Sequence, residues 1–380
     1  MIERKLKDRI LSHFYKGKAL IIYGPRQTGK TTLLRMLEME TKGKVLYLNC
    51  DEPDVRNLLE GANSSSLKQL IGRHEVVLID EGQRVRDIGL TLKLITDQIS
   101  EIQLVVTGSS SLELSGTVNE PITGRKFEYL LLPFAVQELV EANGRLEEQR
   151  LLEDRLIYGM YPDIVAGVEL RTEKLLNLAG SYLYKDIFNF RDVRKPEVVE
   201  KLLQALALQM GSEVSYSELS NLLGIDYHTV TSYIDLLEKS FVIFRLRAFS
   251  RNLRSELKKS RKIYFYDNGI RNTIIKNFNP LDLRQDRGAL WENFLVSERM
   301  KYFCNNGIFG NLYFWRTRNR QEIDLVEIIN GRMNAFEFKW KDGKKYKLPA
   351  SFQEAYPECG FRLIDRGNYL EFLLNADIKK

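Results

Sequence analysis

The hydrophobic pattern in the first third of the chain alternates between two kinds of segment. Short apolar runs at residues 19–23, 45–48, 76–79 and 104–106 have the composition of buried strands. The stretches between them have the spacing of amphipathic helices, and strands that alternate with helices form parallel sheets covered on both faces. The pattern therefore predicts a parallel α/β domain over residues 1–133.

After residue 133 the pattern changes three times. Residues 134–195 are mostly helical and predict a lid or linker. Residues 196–261 begin with a proline at a helix start and continue into a second helical set and a strand, which predicts a further small region. Residues 262–380 mix strands with helices, and we expect them to form a separate α+β or α/β domain.

Composition narrows the classes of protein that fit this chain. The 380 residues are 44% hydrophobic and 28% charged, which is typical of globular domains rather than disordered chains. The longest apolar run, Leu130–Val136, is far shorter than the ~20 residues that cross a bilayer, and the charged start of the chain lacks the apolar core of a signal peptide. We therefore expect a cytoplasmic protein with no membrane partner.

Cysteine and histidine usage excludes several chemistries. Three cysteines and three histidines are scattered without the spacing of paired ligands: Cys50, Cys304, Cys359, His13, His74 and His228. A disulfide framework, a zinc site and a histidine-based nucleophilic triad are therefore not expected. Any chemistry must use carboxylates, lysines, arginines and hydroxyl groups.

A phosphate-binding motif follows the first predicted strand. Residues 24–32 read GPRQTGKTT and contain the full GxxxxGK[ST] pattern between a strand and a helix. Glycines let backbone N–H groups approach phosphates, Lys30 is expected to reach the β and γ phosphates of ATP, and Thr31 to ligate Mg²⁺. The predicted nucleotide-binding residues are Gly24, Pro25, Arg26, Gln27, Thr28, Gly29, Lys30, Thr31 and Thr32.

Two further strand ends supply partners for this loop. A nucleotide site of this kind also has an apolar strand that ends in an acid, and residues 76–79 followed by Asp80 and Glu81 fit this pattern. Asp80 is expected to hold Mg²⁺, and Glu81 is expected to orient and deprotonate the attacking water. The next strand leads to Ser109, whose hydroxyl either contacts the γ phosphate or belongs to a serine-rich turn. The acid pair favours ATP hydrolysis over passive binding.

These residues resemble those of AAA+ superfamily ATPases from bacteria and archaea. The resemblance rests on GPRQTGKTT, VVLIDEGQ, VVTGSSS and ITGRKFEYLLLPF, and it continues through residues 158–162 and 181–187, so it covers nearly the whole chain. It implies Walker A and B motifs, ATP and Mg²⁺ as cofactors, and Ser109 or Ser110 as a sensor-like residue. It also implies a homo-oligomer in which a neighbouring subunit supplies an arginine; Arg125 is the candidate, and a structural surface role explains it equally well.

Residues 215–239 have the pattern of two helices joined by a turn. Ser215 and Asp226 are placed to cap the two helices, and Gly224 fits the turn between them. Two strand-like runs follow, and this order predicts a winged helix-turn-helix region.

Positive charge is concentrated after this helix pair, although the formal net charge is only +6. Residues 245–276 contain ten Lys and Arg against two acids, Glu256 and Asp267. Such a local excess suits a polyanion such as DNA. A solvated wing or a contact between subunits explains the charge equally well.

The C-terminal region contains a predicted hairpin. Residues 322–329 alternate between apolar and polar towards Asn330-Gly331, and residues 333–340 alternate back, which is typical of a type I′ turn. Period two places Glu337 and Lys339 on one face of the second strand. Pairing across the turn brings Asp324 beside them.

Asp324 followed by the Glu337-x-Lys339 motif resembles the PD-(D/E)XK nuclease fold, which carries a further acid on its first helix, here Glu292. The resemblance implies Glu292, Asp324 and Glu337 as Mg²⁺ ligands, and Glu337 and Lys339 as catalytic residues for phosphodiester hydrolysis. Three arginines just upstream would contact the phosphates: Arg316, Arg318 and Arg320. The alternative is a solvated salt-bridge ladder on a strand face.

The combined prediction is an α/β protein in which a P-loop AAA+ core is followed by a helical lid, a winged-helix region and a restriction-endonuclease-like domain. One functional hypothesis is an Mg²⁺-dependent ATPase whose turnover controls a nuclease acting on DNA. The other is an ATP-gated switch that binds DNA or a protein partner through a catalytically inactive nuclease-like domain.

Overall fold

The computed structural model describes residues 2–109, 122–180, 195–250, 261–317, 319, 321–341, 343 and 346–375. The chain divides into two compact units. The first contains residues up to Leu132 together with Lys239–Phe241, and the second contains Pro133–Glu238 and the chain from Val242 onward. The first unit ends one residue before the predicted boundary at residue 133.

The first unit is built on a parallel sheet, as the sequence predicts. Its strands, within the described residues, are β1 (Ala19–Tyr23), β2 (Val45–Asn49), β3 (Val76–Asp80), β4 (Gln103–Gly108) and β5 (Lys126–Leu130). The strand order is β2-β3-β4-β1-β5, and every neighbouring pair is parallel. Its helices are α1 (Leu6–Leu11), α2 (Lys30–Glu40), α3 (Pro53–Leu59), α4 (Ser64–Ile71) and α5 (Ile88–Gln98).

Both faces of this sheet are buried, which explains the continuous apolar runs in the sequence. Along β1, Ala19, Ile21 and Tyr23 pack into one hydrophobic cluster, whereas Leu20 and Ile22 pack into another on the opposite face. Side chains alternate between the faces of a strand, so a strand covered on both sides needs an apolar residue at every position.

The second unit is built on a sheet that crosses the predicted domain boundary at residue 261. Its described strands are β6 (Glu213–Val214), β7 (Ile243–Ala248), β8 (Arg261–Phe265), β9 (Gly310–Arg316), β10 (Glu322–Ile329), β11 (Arg332–Phe338) and β12 (Gly360–Ile364). Their order is β12-β11-β10-β9-β7-β8-β6. The parallel pairing of β7 with β9, through Arg247 and Tyr313, joins the predicted winged-helix strands to the predicted C-terminal domain.

The helices of the second unit come from all three predicted segments. They are α6 (Val136–Asn143), α7 (Arg145–Arg150), α8 (Leu152–Tyr158), α9 (Pro162–Val165), α10 (Arg171–Leu178), α11 (Pro196–Leu208), α12 (Tyr216–Leu223), α13 (Tyr227–Lys239), α14 (Asn268–Ile274), α15 (Arg287–Asn306), α16 (Ala350–Ala355) and α17 (Tyr369–Leu374). No helix in the described ranges combines the length and the apolar character needed to cross a membrane.

The segment predicted as a lid or linker is hydrogen-bonded to the C-terminal helices. The Val136 backbone N–H donates to the Glu298 carboxylate at 2.6 Å, and the Met160 N–H donates to the buried Asp267 carboxylate at 2.7 Å. Asn272 donates to the carbonyl oxygens of Leu156 and Ile157 at 3.1 and 2.8 Å. The described part of this segment therefore belongs to the same compact unit as the C-terminal residues. Its predicted continuation through residues 181–187 lies outside the described residues.

The predicted pair of helices at residues 215–239 forms with the expected caps. The Ser215 hydroxyl accepts from the Glu218 N–H at 3.3 Å, and an Asp226 carboxylate oxygen accepts from the Thr229 N–H at 2.9 Å. Gly224 ends α12 in the left-handed conformation, with φ 64°. These local predictions are confirmed.

Candidate nucleotide site and carboxylate cluster

The phosphate-binding motif forms the loop between β1 and α2. Gly29 has a φ of 90°, a left-handed value that favours glycine. At Gly24, a Cβ atom would lie 2.0 Å from the Leu131 carbonyl oxygen, so a larger residue would clash. The backbone of the loop therefore requires both glycines of the motif.

Lys30 begins α2 and folds back over the loop. Its Nζ donates hydrogen bonds to the carbonyl oxygens of Gly24 and Pro25, each at 2.9 Å. The Thr28 hydroxyl also donates to the Pro25 carbonyl, at 2.8 Å. The ammonium group thus lies against the loop from which a P-loop lysine reaches the phosphates. The remaining predicted loop residues range from half-buried to exposed: Arg26, Gln27, Thr31 and Thr32.

The loop has a support that the sequence analysis missed. Arg4 is only 4% exposed, and its guanidinium donates to the carbonyl oxygens of Thr28 at 2.8 Å and Leu132 at 2.6 Å. It therefore ties the phosphate-binding loop to the chain that follows β5. One arginine in a charged N-terminal stretch gives no sequence signal for this role.

Asp80 ends β3 with both carboxylate oxygens hydrogen-bonded. Oδ2 accepts from the hydroxyls of Thr31 and Tyr47, each at 2.7 Å. Oδ1 accepts from the Thr107 hydroxyl at 2.5 Å and from the Glu81 N–H at 3.1 Å. The structure brings Thr31 and Asp80 together, while Tyr47 and Thr107, which the sequence analysis missed, fix the orientation of the carboxylate. Tyr47 and Thr107 lie on β2 and β4, the two strands beside β3, and this strand order would have identified them as neighbours of Asp80.

This donor set fits a magnesium ion. Hydroxyl and carboxylate oxygens are the ligands that Mg²⁺ prefers, and the ion usually keeps several of its own water molecules. Because Asp80 already accepts four hydrogen bonds, Thr31 is the residue placed to ligate directly, and Asp80 is placed to hold Thr31 and the waters.

Glu81, the predicted base, is joined to Ser109 by a third side chain. Glu81 has a φ of 54°, which is uncommon for a residue with a Cβ, and the chain then enters a short 3-10 helix, Gly82–Arg84. Gln83 Nε2 donates to Glu81 Oε2 at 2.5 Å and to Ser109 Oγ at 2.9 Å. A carboxylate only accepts, so the amide nitrogen must be the atom that faces Glu81. The sequence analysis missed Gln83, although it follows the acid pair by two residues.

Arg125 does not contribute to the phosphate-binding loop of its own chain. Its carbonyl oxygen accepts from the Ala19 N–H at 2.9 Å, which places it beside the start of β1, whereas the loop follows the end of that strand. The side chain is 43% exposed and its Nε donates to Asp97 at 2.5 Å. An arginine at this end of the sheet could complete a nucleotide site only in a second copy of the chain.

The C-terminal hairpin has the predicted turn and register. Ile329 pairs with Arg332 across Asn330 and Gly331, whose φ values are 49° and 79°. These left-handed values are those of a type I′ turn, so the predicted hairpin is confirmed. Counting back along the ladder from the pair Leu325 and Phe336 places Asp324 opposite Glu337.

The predicted carboxylates and lysine of this hairpin lie on one side of the sheet. Lys339 Nζ donates to Glu337 Oε1 at 2.6 Å, which confirms that these two side chains share a face. Asp324 Oδ2 accepts from the Phe338 N–H at 2.8 Å. Glu292, on α15, accepts from Lys262 at 2.8 Å and from the Tyr264 hydroxyl at 2.6 Å, both at Oε1. We call Glu292, Glu322, Asp324 and Glu337 the carboxylate cluster.

Lys262 is a member of this site that the sequence analysis counted only as part of the basic stretch at residues 245–276. It lies on β8 with its side chain 2% exposed, and its ammonium forms ion pairs with Glu292 and Glu322. Period two along β8 places Lys262 and Tyr264 on the same face, towards Glu292. Only the pairing of strands distant in sequence reveals this contact.

Burial and mutual repulsion perturb the titration of the cluster. Burial raises the pKa of Asp324 well above its usual range, and the nearby carboxylates of Glu292 and Glu337 raise it further. Burial also raises the pKa of Glu337, although Lys339 opposes this change. Burial acts to lower the pKa of Lys262, but the surrounding carboxylates raise it overall.

We expect Asp324→Asn to raise the melting temperature at neutral pH. An acid whose pKa is raised on folding binds its proton more tightly in the folded state. Its contribution to stability therefore falls as pH rises from the pKa in the unfolded state, about 3.9, through the higher pKa in the folded state. Asparagine removes the charge and still accepts from the Phe338 N–H. The difference in melting temperature from wild type should grow as pH rises from acidic to neutral. Thermal unfolding across this range measures it, and a lower melting temperature at neutral pH would contradict the expectation.

The three predicted metal ligands do not form a shell in this structure. Over the described residues, no three His, Cys, Asp or Glu side chains are arranged to hold a metal ion. Glu292 Oε1 accepts hydrogen bonds from Lys262 and Tyr264, whereas Glu337 Oε2 is buried and has no hydrogen-bond partner among the described residues. The nearby Tyr346 hydroxyl donates its proton to the Glu322 carbonyl oxygen, at 2.9 Å. Asp324 and Glu337 thus form a two-acid corner whose donor set fits a divalent cation, with the third acid held elsewhere.

Several basic residues expected to contact a polyanion are engaged inside the second unit. Arg245 pairs with Asp235 at 2.7 Å and with Glu238, and the buried Arg271 pairs with Asp286. Arg316 pairs with Glu213 at 3.1 Å and with Glu322 at 3.4 Å. The sequence-based charge excess therefore overstates the charge available to phosphates. Six more basic residues of these two stretches lie outside the described residues: Arg251, Arg254, Lys258, Lys259, Arg318 and Arg320. Arg247 and Lys276 are exposed.

Three family matches follow one another along the chain. Residues 16–140 match an AAA domain. Residues 149–281 match a domain of unknown function (DUF8612), and residues 287–372 match another (DUF4143). The last two matches assign no activity to the second unit.

Individual proteins and a solved structure are also similar to this chain. An uncharacterized protein of Mycobacterium tuberculosis is 26% identical over 350 residues, covering 89% of this chain and 74% of that protein. An uncharacterized protein of Methanocaldococcus jannaschii is 28% identical over 301 residues, covering 68% and 63%. A Walker-type ATPase of Pyrococcus abyssi superimposes with a TM-score of 0.50 at 16% identity, covering 72% of this chain and 96% of that one. The AAA-domain match and this likeness of fold support one conclusion: residues 16–140 form a P-loop ATPase domain.

Proposed function

We propose that the first unit hydrolyses ATP with Mg²⁺ and that this turnover controls an action of the second unit on DNA. The observation that carries the ATPase assignment is the 2.7 Å hydrogen bond between Thr31 and Asp80. It joins the hydroxyl at the start of the P-loop helix to the carboxylate at the end of β3, which are the two protein groups that hold Mg²⁺ in P-loop enzymes.

The residues of this site divide the work of phosphoryl transfer. Lys30 and the loop N–H groups bind the phosphates, and Thr31 and Asp80 would hold Mg²⁺, which would supply positive charge beside the transferring group. Glu81 accepts a proton from the attacking water. Gln83 limits the positions available to Glu81 because its amide is also bonded to Ser109. If Ser109 contacts the γ phosphate, the hydrogen bond between Gln83 and Ser109 couples nucleotide binding to the position of Glu81.

Phosphate release by the purified protein tests the ATPase assignment. We expect Mg²⁺-dependent release that stops when EDTA is added. Lys30→Ala should weaken binding of a fluorescent ATP analogue as well as turnover, because the loop loses the positive charge that contacts the phosphates. An active preparation in which Lys30→Ala binds and hydrolyses ATP normally would overturn the assignment.

We further propose that two copies of the chain complete one nucleotide site through Arg125. The basis is its exposed position away from the loop of its own chain. We expect Arg125→Ala to lower turnover on the order of 10³-fold with nucleotide affinity retained, since a guanidinium in trans stabilises transition-state charge. Stability should change little because the pair with Asp97 is exposed. Mixing Arg125→Ala with Lys30→Ala protein should restore activity at mixed interfaces. A monomer in light scattering at every nucleotide condition would contradict the proposal.

For the second unit we propose divalent-cation-dependent cleavage of a DNA phosphodiester. The support is the two-acid corner of Asp324 and Glu337, with Lys339 2.6 Å from Glu337. Burial acts to lower the pKa of Lys339, but Glu337 raises it overall, so this lysine stays protonated and can donate to a phosphate oxygen. The competing function is an ATP-gated switch that binds DNA or protein through the same unit without cleaving it. A nicking assay separates the two functions.

A further inference from the structure

We propose that Lys262 is a built-in counter-ion that keeps the carboxylate cluster closed to divalent cations until Glu292 is released. This inference rests on the cation-dependent function proposed for the second unit. The proposed function requires a bound cation, and the inference adds the condition under which the cluster can bind it.

Lys262 supplies a buried positive charge to the carboxylate cluster. Lys262 is almost fully buried and forms ion pairs with two members of the cluster, Glu292 and Glu322. A lysine is buried in this way only when carboxylates compensate it. The ammonium therefore performs for these two acids the neutralisation that a metal ion would otherwise supply.

The other two acids of the cluster, Asp324 and Glu337, form no ion pair with Lys262. Asp324 forms no ion pair among the described residues, although the Lys262 charge acts to lower its pKa, and Glu337 pairs with Lys339 while its Oε2 has no hydrogen-bond partner among the same residues. Glu337 is 5% exposed, so solvent does not satisfy this oxygen. An unpartnered, buried carboxylate oxygen inside an acidic cluster points to a cation as its ligand.

Glu292 is held away from a cation at this corner by its two hydrogen-bond donors. A cation at this corner would have two carboxylates, and the nearest further acid on α15 is Glu292, whose Oε1 accepts from both Lys262 and Tyr264. Like charges repel more strongly in a poorly solvated site than in water, so an ammonium bonded to Glu292 opposes the arrival of a second cation beside it. Displacement of Lys262 removes that repulsion and frees a third ligand at once.

The test measures Mn²⁺ binding to the full chain by calorimetry, without any measurement of cleavage. Lys262→Met, which keeps the length and removes the charge, should bind Mn²⁺ at least tenfold more tightly than wild type. Lys262→Arg, which keeps the charge, should stay near the wild-type affinity. Asp324→Asn in the Lys262→Met background should abolish the gain, which places the ion in the cluster.

Thermal unfolding keeps the test decisive if Lys262→Met is unstable. Loss of the ammonium leaves two half-buried acids without their lysine partner, so this variant should melt lower than wild type, and Mn²⁺ should raise its melting temperature more than that of wild type. The matched control is Lys301→Met, which removes another buried lysine, paired with Glu298 at 2.7 Å, and should melt lower without any gain from Mn²⁺.

Three results would overturn different claims. If wild type binds Mn²⁺ as tightly as Lys262→Met, and Asp324→Asn abolishes both, the cluster is a metal site but Lys262 does not close it. If Lys262→Met binds more weakly than wild type, the lysine positions Glu292 for the metal, and the inference is wrong. If no variant binds Mn²⁺, the cation-dependent function and the inference resting on it both fail.

Discussion

Glu81→Gln should lower ATP turnover by about 10²–10⁴-fold while nucleotide binding is retained. The amide cannot accept the proton of the attacking water, and a positioned general base contributes a factor of this size. The loop, Lys30 and the Thr31–Asp80 pair are left intact, so the affinity for a fluorescent ATP analogue should stay close to that of wild type. Rates of phosphate release and analogue titrations measure the two quantities separately.

Gln83→Ala provides the companion to this experiment. It removes both hydrogen bonds that join Glu81 to Ser109 but leaves the carboxylate of Glu81 in place. We expect a smaller fall in turnover than for Glu81→Gln, with unchanged nucleotide affinity. Arg84→Ala is the matched control, since this neighbour is 46% exposed and pairs only at the surface with Asp51. A Glu81→Gln protein that turns over ATP like wild type would show that another residue is the base.

Asp324→Ala and Lys339→Ala should each abolish Mg²⁺- or Mn²⁺-dependent nicking of plasmid DNA. The first change removes one acid of the two-acid corner, and the second removes the positive charge beside the other acid, Glu337. ATP turnover in the same preparations should be unaffected, because the phosphate-binding loop belongs to the first unit. Gel analysis of supercoiled, nicked and linear plasmid with and without ATP measures the effect.

A surface acid of the same unit controls for nonspecific effects. Asp282→Ala removes a side chain that is 96% exposed and lies 3.6 Å from Arg287. It should nick DNA like wild type. Nicking that persists equally in Asp324→Ala and Lys339→Ala would come from a contaminant or another site. A wild-type protein that binds plasmid without cutting it would favour the ATP-gated binding switch.

The elements that could be predicted from the sequence are those with local signals. Runs of apolar residues predict the strands of the first sheet because both faces are buried, and Asn330-Gly331 predicts the hairpin because few dipeptides adopt left-handed φ values at both positions. The phosphate-binding loop is predictable because its glycine spacing reflects a backbone requirement at Gly24 and Gly29.

The residues that could not be predicted make contacts over long distances in the sequence. Arg4 reaches Leu132, and Lys262 reaches Glu322 through strands that lie about 60 residues apart in the sequence. Charge counting also failed at Arg271, because a lone arginine in the sequence does not reveal that Asp286 is folded against it. In each case the missing information is which elements become neighbours, and residue type alone does not carry it.

If the second unit binds and cuts DNA as proposed, the β7–β9 pairing would set the distance between the contacted and the cut positions. Arg245 on β7 is tied to Asp235 and Glu238 of α13, and β7 in turn is paired with β9, the neighbour of the strand that carries Asp324. Were α13 to contact a duplex, these pairings would keep that contact at a constant distance from Asp324, and cuts would fall at a fixed number of base pairs from the contacted site.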